Sequence, residues 1–422
     1  MTQLSDPLTL VRGGVLPNRL AKSAMSERVA TRDGRVTEEL VRLYERWASG
    51  GTGLLITGNV MVDATAIGEE GNVIVEDDRD LPGLRAWARA AKSGGAQVWM
   101  QINHPGRQSP RTLSPRPVAP SAVGLKGAGP AFAKPRALEP SEIEAVVQRF
   151  ATTARIAERA GFDGVQIHGA HGYLVSQFLS PKTNLRDDAW GGDPVRRRRF
   201  LLEIIRAIRA AVGPRFAIGL KLNSADFQKG GFDEAESMEL LSILDGEGLD
   251  VIEVSGGTYE SAAMFEETVP QHESSRRREA FFLDYVEKAR ARVPNTPLML
   301  TGGFRTRVGM QEALRGAVDV VGLARPLAAE PDLSRRLLSG EAEAAYPVRI
   351  ATGIKSLDAL LQGAWYQLQL DRMGRGLAPD PKLGRLRALI GYFRPRRGRA
   401  YEAPPERAAR PSPPEAARAP GR

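Results

Sequence analysis

Residues 164–174 read Gly164-Val165-Gln166-Ile167-His168-Gly169-Ala170-His171-Gly172-Tyr173-Leu174. The segment begins as a short, mostly apolar run, which is typical of a buried β-strand. Two of the four histidines in the chain, His168 and His171, follow where that strand should end, and the phenol of Tyr173 comes two residues later. Side chains at the carboxyl ends of strands carry the chemistry of α/β barrels. The segment therefore predicts one barrel strand with a polar site at its end.

The rest of the chain alternates in the same way between strand-like and helix-like segments. Stretches with helical periodicity, such as 142–160 and 197–212, separate eight short apolar runs. This alternation predicts parallel βαβ units, and eight of them predict an α/β fold of the (β/α)8 TIM-barrel class. An open doubly wound sheet is the alternative, but its Gly-x-Gly-x-x-Gly turn after an early strand is absent. The predicted strands are 19–23, 53–57, 97–101, 164–168, 216–221, 250–254, 298–301 and 319–323.

Three regions are predicted along the chain. Residues 1–340 hold all eight strands and form the barrel domain. Residues 341–393 form a C-terminal helical extension, because 356–373 has one apolar face. Residues 394–422 are rich in Pro, Arg, Ala and Glu with little to bury, which predicts a disordered tail.

Composition excludes several classes of function. The chain of 422 residues has no cysteine, so disulfides, thiolate nucleophiles and cysteine-bound iron–sulfur clusters are impossible. Four histidines make a zinc site unexpected, and we predict no bound metal. No apolar run reaches the roughly 20 residues that span a bilayer. The first residues do not resemble a secretion signal, so a cytoplasmic location is expected.

The net charge of +9 is concentrated at the C-terminus. Residues 385–422 contain ten arginines and three acidic residues, which leaves the other residues nearly balanced. No basic groove with interleaved aromatic residues accompanies this tail. We therefore expect no specific nucleic-acid partner. A small-molecule substrate is predicted instead, with a homo-oligomer as one possible assembly.

The residues that follow the predicted strands favour a flavin. Small residues after strands 6 to 8, with Arg325 behind them, suit a phosphate. Gln101 at the end of strand 3 and Lys221 at the end of strand 5 suit a planar heterocycle that is rich in hydrogen-bond acceptors. The imidazoles and the phenol would then lie across the plane of this heterocycle. Flavin mononucleotide (FMN) is a ligand that has both the phosphate and the acceptor-rich heterocycle.

Several motifs resemble the old yellow enzyme family of FMN-dependent NAD(P)H:flavin oxidoreductases, over most of residues 8–340. Their order along the chain makes the resemblance specific. The motifs are Leu16-Pro17-Asn18-Arg19-Leu20, Gln101 with His104-Pro105-Gly106-Arg107, Gly161-Phe162-Asp163-Gly164-Val165, the segment 168–174 quoted above, and Ser180-Pro181-Lys182-Thr183-Asn184.

The resemblance implies an ene-reductase with FMN as cofactor and NADH or NADPH as hydride donor. It implies that Tyr173 protonates the carbon next to a carbonyl whose oxygen His168 and His171 bind. The substrate would be an electron-poor alkene, such as an α,β-unsaturated carbonyl compound. Implied FMN-binding residues are Ser23, Ala24, Met25, Asn59, Gln101, Lys221, Gly303, Ala324 and Arg325.

Four positions depart from the family pattern. Lys221 replaces the usual arginine and cannot bond in a bidentate manner, while Ala324 replaces a frequent glycine. Ser26 stands where many relatives have cysteine or threonine. Arg28 stands where several relatives place an aromatic residue against the substrate, so Arg28 is a candidate substrate-binding residue.

Three alternatives to an ene-reductase remain at this point. One is a non-redox lyase or aldolase that uses Lys221 as a Schiff base. Another is an NAD(P)H:quinone or oxygen oxidoreductase that uses the same flavin. The third is a flavin-free binding or scaffold protein that acts through its basic tail.

Overall fold

A computed structural model describes residues 2–127, 129–255, 283–348, 355–392 and 398–402. Its main sheet contains eight parallel strands that form a closed barrel, in which each strand pairs with the next and the eighth pairs with the first. The predicted (β/α)8 barrel is confirmed. The strands are β1 (Leu20–Lys22), β2 (Leu54–Ile56), β3 (Gln97–Asn103), β4 (Gly164–Gly169), β5 (Ala217–Asn223), β6 (Val251–Ser255), β7 (Leu298–Thr301) and β8 (Val320–Leu323).

Helices connect these strands and cover the outside of the barrel. Several of them begin at a capping side chain: that of Thr37, for example, accepts a hydrogen bond from the backbone N–H of Leu40. The helices are α1 (Glu38–Ala48), α2 (Leu81–Lys92), α3 (Pro140–Ala160), α4 (Leu174–Leu179), α5 (Pro194–Ala211), α6 (Glu234–Leu244), α7 (described over 283–290), α8 (Arg307–Arg315), α9 (Arg325–Ala329), α10 (Leu333–Ser339), α11 (Lys355–Gly374) and α12 (Arg385–Tyr392).

An N-terminal hairpin closes the bottom of the barrel, at the amino ends of the strands. Its two short strands, Leu8–Thr9 and Val15–Leu16, pair antiparallel. Leu10 and Leu16 join the apolar cluster that fills the lower barrel. Gly13 lies directly against the barrel wall, because a Cβ at this position would be 2.5 Å from the Cβ of Ala217. The lower end is therefore packed with side chains.

The interior of the barrel changes from apolar to polar along the strands. Trp99, Val251 and Met299 are fully buried in the lower layer. Gly219 makes room for Trp99, since a Cβ there would come within 2.7 Å of the indole ring. Because side chains alternate along a strand, the next inward positions form a separate layer above this floor. That layer is polar and consists of Ser23, Gln101, Gln166, Glu253 and Thr301.

The C-terminal extension packs against the barrel beside α1. Gln367 of α11 donates a hydrogen bond of 2.6 Å to the carbonyl of Glu27, on the loop after β1. Residues 398–402 return to the same region, where the N–H of Tyr401 donates to the carbonyl of Val36 over 2.9 Å. The start of the predicted tail thus contacts the barrel, and 403–422 lie outside the described residues. The domain limits at 340 and 393 stay predictions.

No helix among the described residues is both long enough and apolar enough to cross a membrane.

Candidate active site

His168, His171 and Tyr173 come together at the carboxyl end of β4. His168 points inward from the strand, and Tyr173 is the residue before α4. The ring of His168 lies 5.1 Å from that of His171 and 4.8 Å from that of Tyr173, measured between centroids. His168 and Tyr173 are 3% and 5% exposed, and His171 is half-buried. The structure therefore brings these three predicted site residues together in one cluster.

Neighbouring strands fix the orientation of His171. Its Nε2 lies 2.7 Å from the Oγ of Ser255, at the end of β6. Its backbone N–H donates to the side chain of Asn223, at the end of β5, over 3.2 Å. Gln108 donates to its backbone carbonyl over 3.1 Å. His171 has a φ of 60°, a left-handed conformation that costs energy for a non-glycine residue, so these contacts hold a strained backbone in place.

Both imidazoles are neutral at neutral pH. Burial lowers the pKa of His168 well below its usual range, and His171 and Lys221 lower it further. Burial and Lys221 likewise lower the pKa of His171. The Nδ1 of His168 accepts a hydrogen bond of 3.3 Å from the N–H of Ala170, so the single ring proton is on Nε2. His168 therefore offers one N–H donor to a ligand.

A row of four buried side chains, here called the polar chain, crosses the barrel from β3 to β6. Lys221 Nζ donates to Glu253 Oε1 over 2.9 Å. Glu253 Oε2 accepts from Gln166 Nε2 over 2.8 Å. Gln166 Oε1 accepts in turn from Gln101 Nε2 over 2.7 Å. None of the four is more than 5% exposed. The predicted pair Gln101 and Lys221 is thus linked by two residues that lie between them.

The loops after β1 and β2 carry the next group of predicted residues. Ser23 is buried, with its hydroxyl 2.7 Å from that of Thr301, while Ala24 and Met25 are half-buried. Asn59 has a buried side-chain oxygen with no hydrogen-bond partner among the residues that the structure describes. Such an orphaned acceptor in a barrel mouth indicates a place for a ligand donor.

Glu27 ties these two loops together. Its carboxylate accepts a hydrogen bond of 2.9 Å from the N–H of Gly58 and another from the hydroxyl of Tyr44. Lys22 Nζ lies 3.6 Å from the same carboxylate. Burial lowers the pKa of Lys22 to about 8, while its attraction to Glu27 opposes the shift. The loop that holds Met25 is therefore anchored from below by a buried ion pair.

The predicted phosphate residues follow β7 and β8, which are adjacent strands. Gly302 and Gly303 have φ values of 134° and 77°, which favour glycine. A Cβ on Gly302 would meet no atom within 4 Å, so its backbone faces open space. Ala324 and Arg325 are half-buried at the start of α9. The structure thus brings Gly303, Ala324 and Arg325 to one side of the barrel mouth.

Arg28 lies on the loop after β1, at the edge of the predicted site residues. It is half-buried and has a left-handed backbone with a φ of 56°. Together with Asn59 and Asn72 it lines a small cavity. Residues 256–282, which include the small residues Gly256 and Gly257 after strand 6, lie outside the described residues.

Sequence reasoning missed three buried residues of this region. Gln166 and Glu253 join Gln101 to Lys221, and Glu27 anchors the loop after β1. A signal for the first two was present, because Gln166 lies two residues before His168 and Glu253 two before Ser255. Residues two apart on a strand share a face, so both positions point into the barrel.

A parallel barrel with imidazoles, a phenol and an amide–cation pair at its mouth fits the class of flavin oxidoreductases. The family model that matches residues 3–343 is described as the NADH:flavin oxidoreductase / NADH oxidase family. The chain is 40% identical over 358 residues to the NADH-dependent flavin oxidoreductase iliE of Hypocrea jecorina (strain QM6a), which covers 79% of this chain and 88% of that protein.

Solved structures show the same likeness. Morphinone reductase matches with a TM-score of 0.68 and 28% identity, over 82% of this chain and 91% of that one. The old yellow enzyme homologue from Zymomonas mobilis matches with a TM-score of 0.68 and 25% identity, over 82% of this chain and 95% of that one.

The chain belongs to the NADH:flavin oxidoreductase / NADH oxidase family, which is the old yellow enzyme family. It is an NADH-dependent flavin oxidoreductase, and its flavin is FMN. The predicted family, enzyme class and cofactors are confirmed. A lyase or aldolase that acts through Lys221 does not agree with this membership.

Proposed function

We propose that the enzyme reduces the C=C bond of α,β-unsaturated carbonyl compounds. The observation that carries this proposal is the cluster of His168, His171 and Tyr173, whose ring centroids lie about 5 Å apart. Reduction of such an alkene needs donors for the carbonyl oxygen and a proton for the carbon beside it. Two neutral imidazoles and a phenol supply both.

The residues at the barrel mouth fit FMN. Asn59 offers an unpartnered buried acceptor, and Gln101 Oε1 has no hydrogen bond to a described residue. Lys221 adds a cation. Bound FMN supplies hydride transfer, taking a hydride from NADH and passing it to the substrate. The residues that would hold it are Ser23, Ala24, Met25, Asn59, Gln101 and Lys221 around the ring, and Gly303, Ala324 and Arg325 at the phosphate.

The two histidines bind the carbonyl oxygen of the substrate. Because the N–H of His168 is on Nε2, it donates a hydrogen bond without losing a proton. His171 adds a second contact from a ring that Ser255 holds in place. Negative charge that develops on the oxygen is stabilised by these fixed donors. Arg28, on the loop after β1, is assigned to the outer wall of the same pocket.

Tyr173 delivers the proton to the carbon next to the carbonyl. Its ring packs at 4.8 Å from His168, so oxygen binding and protonation occur side by side. The phenol lies at the start of α4 and is 5% exposed, which shields the transferred proton from bulk water.

The direct test is an anaerobic reaction of the FMN-loaded enzyme with NADH and 2-cyclohexen-1-one. We expect one saturated ketone for each NADH consumed, identified by gas chromatography with mass spectrometry. The doubled variant His168→Ala/His171→Ala should keep its visible flavin absorption but form little product. If the wild-type enzyme oxidises NADH only with quinones or oxygen and never forms the ketone, the proposal is wrong and the quinone or oxygen alternative replaces it.

A further inference from the structure

Glu253 is fully buried in the barrel and contacts both neighbours in the polar chain. We propose that it is a positioning residue that determines how Gln101 and Lys221 face the flavin. The inference rests on the proposed placement of FMN above these two side chains. It assigns a role to a residue that touches neither the flavin nor the substrate and acts through its neighbours.

The first effect of Glu253 is on the direction of the amides. A carboxylate has no donor, so the side chain of Gln166 must turn its Nε2 towards Glu253. The Oε1 of Gln166 then faces Gln101, which must turn its own Nε2 towards Gln166. Gln101 consequently presents Oε1 to the barrel mouth. This acceptor suits the N–H of a flavin pyrimidine ring. If the amide of Gln101 were reversed, its Nε2 would face that N–H, and two donors would meet.

The second effect is on the charge of the site. Lys221 and Glu253 are register partners on β5 and β6, and their side chains form an ion pair of 2.9 Å. In a buried environment the carboxylate offsets much of the field of the ammonium group. An unbalanced lysine would stabilise the anionic reduced flavin more strongly. Glu253 therefore keeps the reduction potential of FMN lower than Lys221 alone would set it.

Stability does not explain this arrangement. A buried ion pair loses hydration, and an apolar pair of similar volume is often as stable. The layer below is filled by apolar side chains such as Met299 and Val251, so the barrel accommodates such packing. Glu253 lies in the polar layer above this floor, beside Lys221 and Gln166, which favours a role towards the ligand.

The test compares two variants by the affinity of the protein for oxidised and reduced FMN. Glu253→Gln removes the charge and lets the amides reverse, so oxidised FMN should bind several-fold more weakly. The ratio of reduced to oxidised affinity should rise about tenfold, which is a potential about 30 mV higher for a two-electron couple. Gln166→Leu breaks the polar chain between Gln101 and Glu253 but keeps the ion pair of Lys221 and Glu253. It should weaken FMN binding and leave the ratio within about twofold, as one lost hydrogen bond would.

Two further variants keep the outcome decisive. Glu253→Asp retains the charge, so the ratio of reduced to oxidised FMN affinity should stay near that of the wild type. This variant tests the role of Glu253 even if Glu253→Gln does not fold. An unchanged ratio in a folded Glu253→Gln, or a tenfold change in Glu253→Asp, would overturn the role of Glu253. The doubled variant Lys221→Met/Glu253→Gln tests the placement of FMN itself. If it binds both forms of FMN as the wild type does, the flavin does not lie against Lys221, and the underlying placement is wrong.

Discussion

The Nε2 of His171 and the Oγ of Ser255 lie 2.7 Å apart, joining the loop after β4 to the end of β6. The two side chains come from different βα units, so the orientation of the ring depends on the pairing of β4, β5 and β6. His171 also has a left-handed backbone, which Asn223 holds from β5. An imidazole fixed by two neighbouring strands loses little further freedom when a substrate oxygen binds.

Ser255→Ala should weaken enone binding with little effect on FMN. Loss of one hydrogen bond leaves the His171 ring free to turn, and we expect KM for the enone to rise about 2–10-fold. Steady-state kinetics with a saturating hydride donor measure this change. Ser242→Ala, an exposed serine on α6, is the matched control and should leave KM unchanged. Equal KM values for the wild type and Ser255→Ala would show that the contact does not orient the ring.

Tyr173→Phe should separate the two half-reactions. The phenol proton is not needed when NADH reduces the flavin, so that rate should stay within a few-fold of wild type. Reduction of an enone requires the proton, and loss of a general acid costs about 10²–10⁴ in rate. Stopped-flow absorbance follows each half-reaction separately.

A nitroalkene serves as the control substrate for Tyr173→Phe, because its nitronate product can leave without protonation. Its reduction should be affected much less than that of the enone. If flavin reduction and enone reduction both fall by the same factor, the tyrosine is structural and its assignment as proton donor is wrong.

His104 should make the protein sensitive to mild acid. Burial lowers the pKa of His104 to about 4, and Arg149 lowers it further while Asp63 opposes the shift. In the unfolded chain the ring titrates near 6.5, so between these values the unfolded state binds more protons. The free energy of unfolding therefore falls as pH decreases, by about 2 kcal/mol between pH 7 and pH 5. Urea unfolding at both values measures the loss. His104→Gln should lose less stability over the same range, and an equal loss would contradict the prediction.

Truncations should distinguish the tail from the helical extension. Removal of residues 403–422 should leave FMN content and turnover near wild type, since that segment has little to bury. Removal of residues 355–422 should lower FMN retention, because Gln367 supports the carbonyl of Glu27 and Glu27 anchors Gly58. The ratio of flavin to protein after gel filtration measures both. Full FMN content after removal of residues 355–422 would mean that the loop after β1 keeps its position without the helical extension.

The fold could be read from the sequence because periodicity reports which faces are buried. All eight predicted strands overlap the observed ones, and His168, His171 and Tyr173 lie together because His168 is in β4 and the other two follow its end within four residues. Contacts between side chains on different strands could not be predicted in this way. Register decides that Lys221 meets Glu253, and a single chain's pattern does not encode register between neighbours. The helix Leu81–Lys92 was also not singled out, although its buried Leu84, Trp87 and Ala91 recur at helical spacing.

The packed lower barrel has a consequence for the order of events. Among the residues that the structure describes, Leu10, Leu16 and Trp99 fill the amino end of the barrel, so the polar layer opens at the carboxyl end only. On the proposed function, nicotinamide and enone must use that single opening and the same face of the flavin. They occupy it in turn, with the first product leaving before the second reactant enters. Double-reciprocal plots should then be parallel, and each reactant at high concentration should inhibit by occupying the place of the other.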